Sequence, residues 1–219
     1  MEYEQKGDVA LLHFDDGKVN SVGHNFINAM NEGLDRAERD AKAVLIMGRE
    51  GKFSAGFDLE EFKKGQDASV ALVTAGARML LRLFTHPQPV VAACTGHAIA
   101  AGAFTLLCCD TRVGIGGDFK LGLNETAIGM TLPVFGLELA TARLSKRHLQ
   151  AATIQARLFD PEQAVDVGFL DEIVQADMLQ HHCLAIAGVL AQMPGEAYAA
   201  NKLAIRRPYI ERIRESIPD

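Results

Sequence analysis

Apolar residues gather in three short, nearly unbroken runs, "VALLHF" (Val9 to Phe14), "AVLIMG" (Ala43 to Gly48) and "PVVAAC" (Pro89 to Cys94). Continuous rather than alternating hydrophobicity over strand length predicts strands covered on both faces, the habit of parallel sheets. Between these runs the period changes to that of a helix. Phe26, Ile27, Met30, Leu34 and Ala37 share one face with charges opposite, and "SVALVTAGARMLLRLF" forms a second long helix stopped by Pro87. "FTLLCC" reads as a helix leading to a strand in "TRVGIG", so that "PVVAACTGHAIAAGAFTLLCC" is a strand, a tight loop and a buried helix.

In the last third, Asp160 before Pro161 and Glu162 has the form of a helix cap with proline in the first turn. "FLDEIV" is strand-like, while "DMLQHHCLAIAGVLAQM" and "EAYAANKLAIRRPYIERIRES" are helical, the second bent or broken near Pro208. Strands alternating with helices, then helices alone, predict an α/β fold with a helical C-terminal part. The expected division is a core over 1–190 and a short helical segment over 191–219.

Composition narrows the class. At 219 residues and 48% hydrophobic, the chain can bury a full core, and 23% charged residues suggest neither disorder nor a fibrous repeat. A net charge of −6 argues against a general nucleic-acid surface. No uncharged apolar run reaches membrane-spanning length, and the acidic "MEYEQKGD" start has no apolar signal core. Cys94, Cys108, Cys109 and Cys183 include no C-x-x-C pair and read as buried free thiols. A soluble protein of the reducing cytoplasm is expected.

Common catalytic motifs fail on spacing. "GIGGDFKLG" has Phe119 where a dinucleotide loop needs glycine, and "EGKFS" has Ile46 where a phosphate loop needs its first. "KFSAG" has Lys52 where a nucleophile elbow needs glycine. The adjacent histidines of "QHHC" point about 100° apart on a helix, so no metal site is expected there. Two small-residue turns are more informative. "FSAGFDLEEF" and "TGHAIAAGAF" come after the second and third apolar runs and lead into helices. Small residues admit a ligand to the main chain, and free N–H groups at a helix start hold negative charge. Two such groups converging on one point would form an oxyanion hole; the alternative is close strand–helix packing.

"GKFSAGFDLEEF", "PVVAACTGHAIAAGAFTLLCCD" and "LGLNETAIGMTLP", in that order, resemble the crotonase (enoyl-CoA hydratase/isomerase) superfamily, and within it the Δ3,Δ2-enoyl-CoA isomerases of mitochondrial type. The resemblance extends from about Val9 to Ala204 and includes "DPEQAVDVGFLDEIV". It implies a spiral of ββα units, assembly as a homotrimer or a hexamer made of two trimers, and an acyl-coenzyme A thioester as substrate, with no metal or tightly bound cofactor. By position, Phe57 and Ala101 would donate backbone N–H bonds to the thioester oxygen, while Val19, Ala55, Asp58 and Leu59 would line the coenzyme A channel.

The same resemblance gives Glu125, a lone acid in apolar company, the role of catalytic carboxylate. Hydratases of the family use two glutamates, and the position of the first is here Phe104, a substrate-side residue that transfers no proton. Water addition is best served by two carboxylates. Moving a double bond from C3 to C2 needs a proton taken from C2 and returned at C4, which one carboxylate can do. Leu121, Leu123, Ala127, Ile128 and Phe104 should raise the pKa of Glu125. The family's triple glycine is here Ala100-Ala101-Gly102, a narrower approach. Glu138 would be a second acid if it turned inward, although a solvated helix face is expected. His97 is expected to be structural, and Lys202, Arg206 and Arg207 stand where cations could neighbour coenzyme A phosphates. The chain is shorter than most family members, whose C-terminal helices cap the acyl pocket. The expected activity is Δ3,Δ2-enoyl-CoA isomerisation; the alternatives are an enoyl-CoA hydratase and a non-catalytic acyl-CoA-binding protein.

Overall fold

The computed structural model describes residues 1–218. It opens with β1 (Glu2–Lys6), β2 (Val9–His13), α1 (His24–Asp40), β3 (Ala43–Met47), β4 (Gly51–Ser54), α2 (Leu59–Lys63) and α3 (Gln66–Phe84). The middle third holds β5 (Val90–Cys94), β6 (Gly96–Ile99), α4 (Ala101–Cys108), β7 (Thr111–Ile115), β8 (Leu121–Gly122), α5 (Val134–Arg143) and α6 (Leu149–Thr153). The last holds α7 (Pro161–Val167), β9 (Glu172–Val174), α8 (Leu179–Leu190) and α9 (Gly195–Ser216).

The strands divide between two sheets. Six lie in the order β1-β2-β3-β5-β7-β9, parallel except for the β1–β2 hairpin. Three short ones, β4, β6 and β8, form a second parallel sheet in chain order. Each of β3, β5 and β7 is thus succeeded at once by a strand of the smaller sheet. This is the expected α/β fold of ββα units, with short strands standing where the sequence suggested loops. The "MEYEQKGD" start, read only as polar, supplies β1.

The long apolar runs are explained by their two-sided burial. Val9, Leu11, Ala43, Leu45, Val91, Ala93 and Val113 face α8 through Leu179, Cys183 and Ala187. The alternate residues Ala10, Leu12, Val44, Ile46, Val90 and Ala92 meet α1, α3 and α4 on the other face. All four cysteines are buried and free, and burial pushes the Cys94 and Cys109 thiols up to about 12. The Asp160 carboxylate caps α7 by accepting from Gln163 N–H, with Pro161 at the first helical position. No helix among the described residues is long and apolar enough to cross a membrane.

Two expectations are corrected in α9. Of the two outcomes expected at Pro208, a bend or a break, the break does not occur, since the helix is continuous from Gly195 to Ser216. Lys202 and Arg206 are buried rather than available to phosphates. Lys202 Nζ reaches Asp110 Oδ2 at 2.6 Å and donates to the carbonyls of His86 and Gln88. Arg206 reaches Asp110 Oδ1 at 2.8 Å and donates to the carbonyls of Phe84 and Cys108. Arg207 alone of the three is exposed. The two cations therefore clamp α9 to the ends of α3 and α4. Because one carboxylate neutralises both, Asp110→Ala should destabilise the protein by about 3–5 kcal/mol in urea unfolding, the usual cost of orphaning buried charge. The paired replacement of Asp110 and Lys202 by leucine and methionine should cost less than the sum of the single changes.

Candidate active site

The smaller sheet sets the geometry of the site. β4, β6 and β8 are parallel neighbours, with Ser54 opposite Ala98 and Ile99 opposite Gly122. Their carboxyl ends therefore open on the same side, the position where open α/β sheets receive ligands. Phe57 comes after β4, Ala101 after β6 and Glu125 after β8.

At the first turn, neighbouring N–H groups are tied inward. Ala55 donates to Val19 O (3.0 Å), Gly56 to Ser54 Oγ (3.3 Å) and Asp58 to Val22 O (3.2 Å). Phe57 N–H has no partner among the described residues. Its ring is held over Gly76 of α3 and edge-on to Phe62, so the free N–H belongs to a fixed residue. At the second turn, Ala98 N–H donates to Lys120 O and Ala100 N–H to Gly122 O at 2.9 Å. Ala101 opens α4, and the first N–H to return into that helix is that of Phe104, to Ala100 O. Ala101 N–H is one of the unpaired donors at the helix start.

The two turns touch. A β-carbon added to Gly56 would lie 3.0 Å from Ala100 Cβ and 3.5 Å from Ala101 N, and one added to Gly102 would lie 2.4 Å from Ser54 O. Gly56 has φ +99°, and Ala100 takes φ 50° and ψ −120°, a conformation that an L side chain rarely adopts. Strain thus sits at the turn that presents Ala101 N–H.

Glu125 is 7% exposed, and its Oε2 is buried without a hydrogen-bond partner. Burial raises its carboxyl above the ordinary range, opposed only by its own backbone N–H. Leu121 and Leu123 are buried beside it in sequence, but Ala127 and Ile128 are exposed, so part of the expected apolar surround faces out. The Glu125 carbonyl accepts from Ile128 and Met130 N–H, closing the loop on its C-terminal side.

Phe104, on α4, is 1% exposed and packs against α5. Its ring meets Phe135 edge-on at 5.7 Å and covers Gly136, where an added β-carbon would lie 2.5 Å from Phe104 Cζ. Val19, Ala55 and Leu59 are exposed around Phe57, Leu59 at 63%, whereas Asp58 caps α2 by accepting from Glu60 N–H. Asp58 also lines a cavity of about 330 Å³ with Asp15, Asp16, His24 and Glu61. Neither Glu125, Phe57 nor Ala101 lines that cavity.

Glu138 does not face solvent as expected; it is mostly buried and pairs with Arg212 of α9 at 2.7 Å. His97 Nδ1, on the central strand of the smaller sheet, accepts from Lys120 N–H, a structural role. Sequence reading passed over Asn20 and Ser54. Asn20, buried at φ 52°, donates to Phe14 O and accepts from Asp16 N–H. Ser54 Oγ donates to Asn20 O at 2.7 Å and so fixes the Phe57 turn. The asparagine within "DDGKVNS" was the available signal, since asparagine tolerates left-handed backbone.

A family model described as enoyl-CoA hydratase/isomerase matches residues 4–217. Human enoyl-CoA delta isomerase 1, mitochondrial, is 28% identical over 97% of this chain and 72% of its own length. A probable enoyl-CoA hydratase of Mycobacterium tuberculosis is 30% identical over 86% of this chain and 71% of its own. The crystal structure of an enoyl-CoA hydratase/isomerase family protein from Pseudomonas syringae, 40% identical, superposes with a TM-score of 0.96 over 98% of this chain and 94% of that one.

This geometry has two measurable consequences. Gly56→Ala should lower stability by ~2 kcal/mol through positive φ and the contact with Ala100; adding Ala100→Gly should recover part of the loss in a double-mutant cycle. Glu125→Gln should raise the thermal midpoint at pH 7–8. A carboxyl raised on folding contributes its stability below its unfolded pKa and loses it as pH rises through the folded value, so the gain should vanish toward acid pH.

Proposed function

The chain belongs to the enoyl-CoA hydratase/isomerase family, and on that premise we propose that it is a Δ3,Δ2-enoyl-CoA isomerase acting on unsaturated acyl-coenzyme A thioesters. The observation that carries this reading is the buried carboxylate oxygen of Glu125, which has neither hydrogen bond nor cation among the described residues, with Phe104 in the place of a second acid. Phe57 N–H, free of any partner among the described residues, and Ala101 N–H, at the start of α4, donate to the thioester oxygen. They stabilise the enolate formed when a C2 proton leaves, and loss of one such donor typically costs ~10²–10³ in rate. Glu125, desolvated and therefore more basic, takes that proton and returns it to C4. Hydration would require a second group to activate water; Glu138, the nearby acid in sequence, is occupied by Arg212.

Coenzyme A enters as part of the substrate, and the reaction as written needs no metal or redox cofactor. Val19, Ala55 and Leu59 form the exposed margin beside Phe57 over which the pantetheine arm would lie. Exposed Ile128, Met130, Val134 and Leu137 continue from the Glu125 loop into α5. That apolar surface supports a homotrimer or a dimer of trimers in which a neighbouring subunit closes the acyl side of the site.

The test is to assay the pure protein with 3-enoyl-CoA and with trans-2-enoyl-CoA, as wild type and as Glu125→Gln. Isomerisation of the first substrate should fall by ~10²-fold or more in the variant. The acid limb of the wild-type pH–rate profile should lie above the ordinary glutamate range and disappear in the variant. Hydration of trans-2-enoyl-CoA at comparable efficiency would instead establish a hydratase, and an unimpaired variant would remove Glu125 from the mechanism. Binding of both thioesters without turnover would leave an acyl-CoA-binding protein.

A further inference from the structure

A cavity of about 350 Å³ lies along the first turns of α9, away from Glu125 and the two small-residue turns. Asp110, Arg143, Lys202 and Arg206 line it, with Tyr198 and Asn201 as neutral polar neighbours. Three cations face one carboxylate, and that carboxylate is already taken on both oxygens by Lys202 and Arg206. Arg143 has no acidic partner among the described residues: it donates only to the carbonyls of Cys109 and Asp110, and its Nε is buried and unpartnered. Burial, then the charges of Arg112 and Arg206, bring the Arg143 guanidinium down to about 10 against the smaller pull of Asp171 and Asp110. Arg112 is itself matched by Asp171. Glu196, in the first turn of α9, is exposed and does not line the cavity.

A half-buried guanidinium with no carboxylate paired to it is unfavourable, and the planar fork of arginine suits a carboxylate. The rest of the cavity is apolar. Met193, Pro194, Ala197 and Ile205 form its rim, with Ile205 77% exposed. A second cavity of about 230 Å³ shares Met193 and Tyr198 with it and continues past Pro87, Pro89 and Ala191. The geometry points to a binding site for an amphipathic monocarboxylate, its head on Arg143 and its hydrocarbon tail along Met193 and Ile205 toward Pro87 and Pro89. The head neutralises the one cation that the protein leaves unmatched there, and the tail covers side chains that are otherwise in water.

Calorimetric titration of the intact protein with octanoate, 1-octanol and inorganic phosphate tests this. Octanoate should bind saturably, with octanol and phosphate each weaker by about tenfold or more, a decade being about 1.4 kcal/mol. Arg143→Met should abolish the preference for octanoate over octanol. Ile205→Glu, at an exposed position that does not endanger folding, should weaken octanoate by about tenfold by placing like charge at the mouth. Glu125→Gln should leave the titration unchanged, which separates this site from the one proposed for catalysis. Absence of octanoate binding, equal affinity for phosphate, or insensitivity to Ile205→Glu would each overturn the assignment.

Discussion

The hydrogen bond from Ala100 N–H to Gly122 O holds the end of β6 against β8, and the site depends on that alignment. It is one link in a parallel three-strand sheet whose members come from successive ββα units. Parallel pairing gives the three strands a common carboxyl end. The segments leaving them therefore start on the same side of the sheet: a turn with a spare N–H, a second such turn that touches it, and a loop that carries an acid. The strand pairs Gly51–Gly96 and Ala98–Leu121 set this assembly before any catalytic side chain is considered.

Spare donors and an unmatched carboxylate are both unfavourable in a folded interior, and the fold sustains them by satisfying everything around them. Val19, Val22 and Ser54 take up the N–H groups flanking Phe57, while Asn20 and Ser54 fix the loop that supplies those acceptors. Ala100 holds a backbone conformation that alanine resists. Glu125 keeps a buried oxygen without a partner. These are local departures from the rules the rest of the chain obeys, and they coincide at the carboxyl ends of β4, β6 and β8. The proposed function gives these departures a common purpose, reactivity obtained at some loss of stability.

The larger sheet was legible because two-sided burial writes itself as unbroken apolar runs, as in Ala43–Met47 and Val90–Cys94. The smaller sheet was not. β8 has two residues and β4 and β6 four each, too short for any period to register, and Gly96 belongs to a strand although it reads as a turn. The three site positions were reached through motif resemblance; the residues themselves showed only two small-residue turns and an isolated acid. Lys202 and Arg206 misled because a cation on a helix reads as solvated, and nothing local reveals that Asp110, far upstream in the chain, lies beneath them. Pro208 misled because a proline predicts interruption, whereas packing of α9 against α5 carries the helix through.

The proposed mechanism rests on one shielded carboxylate carrying a proton from C2 to C4. Turnover of 3-enoyl-CoA deuterated at C2, in ordinary water, with mass and position of label read in the 2-enoyl product, tests it most directly. Transfer by Glu125, buried at 7% exposure, predicts that a measurable share of the deuterium reappears at C4. Complete loss of the abstracted deuterium to solvent at every stage of turnover, with label surviving only at C2, would contradict it, pointing to an exposed base or to separate groups for removal and return.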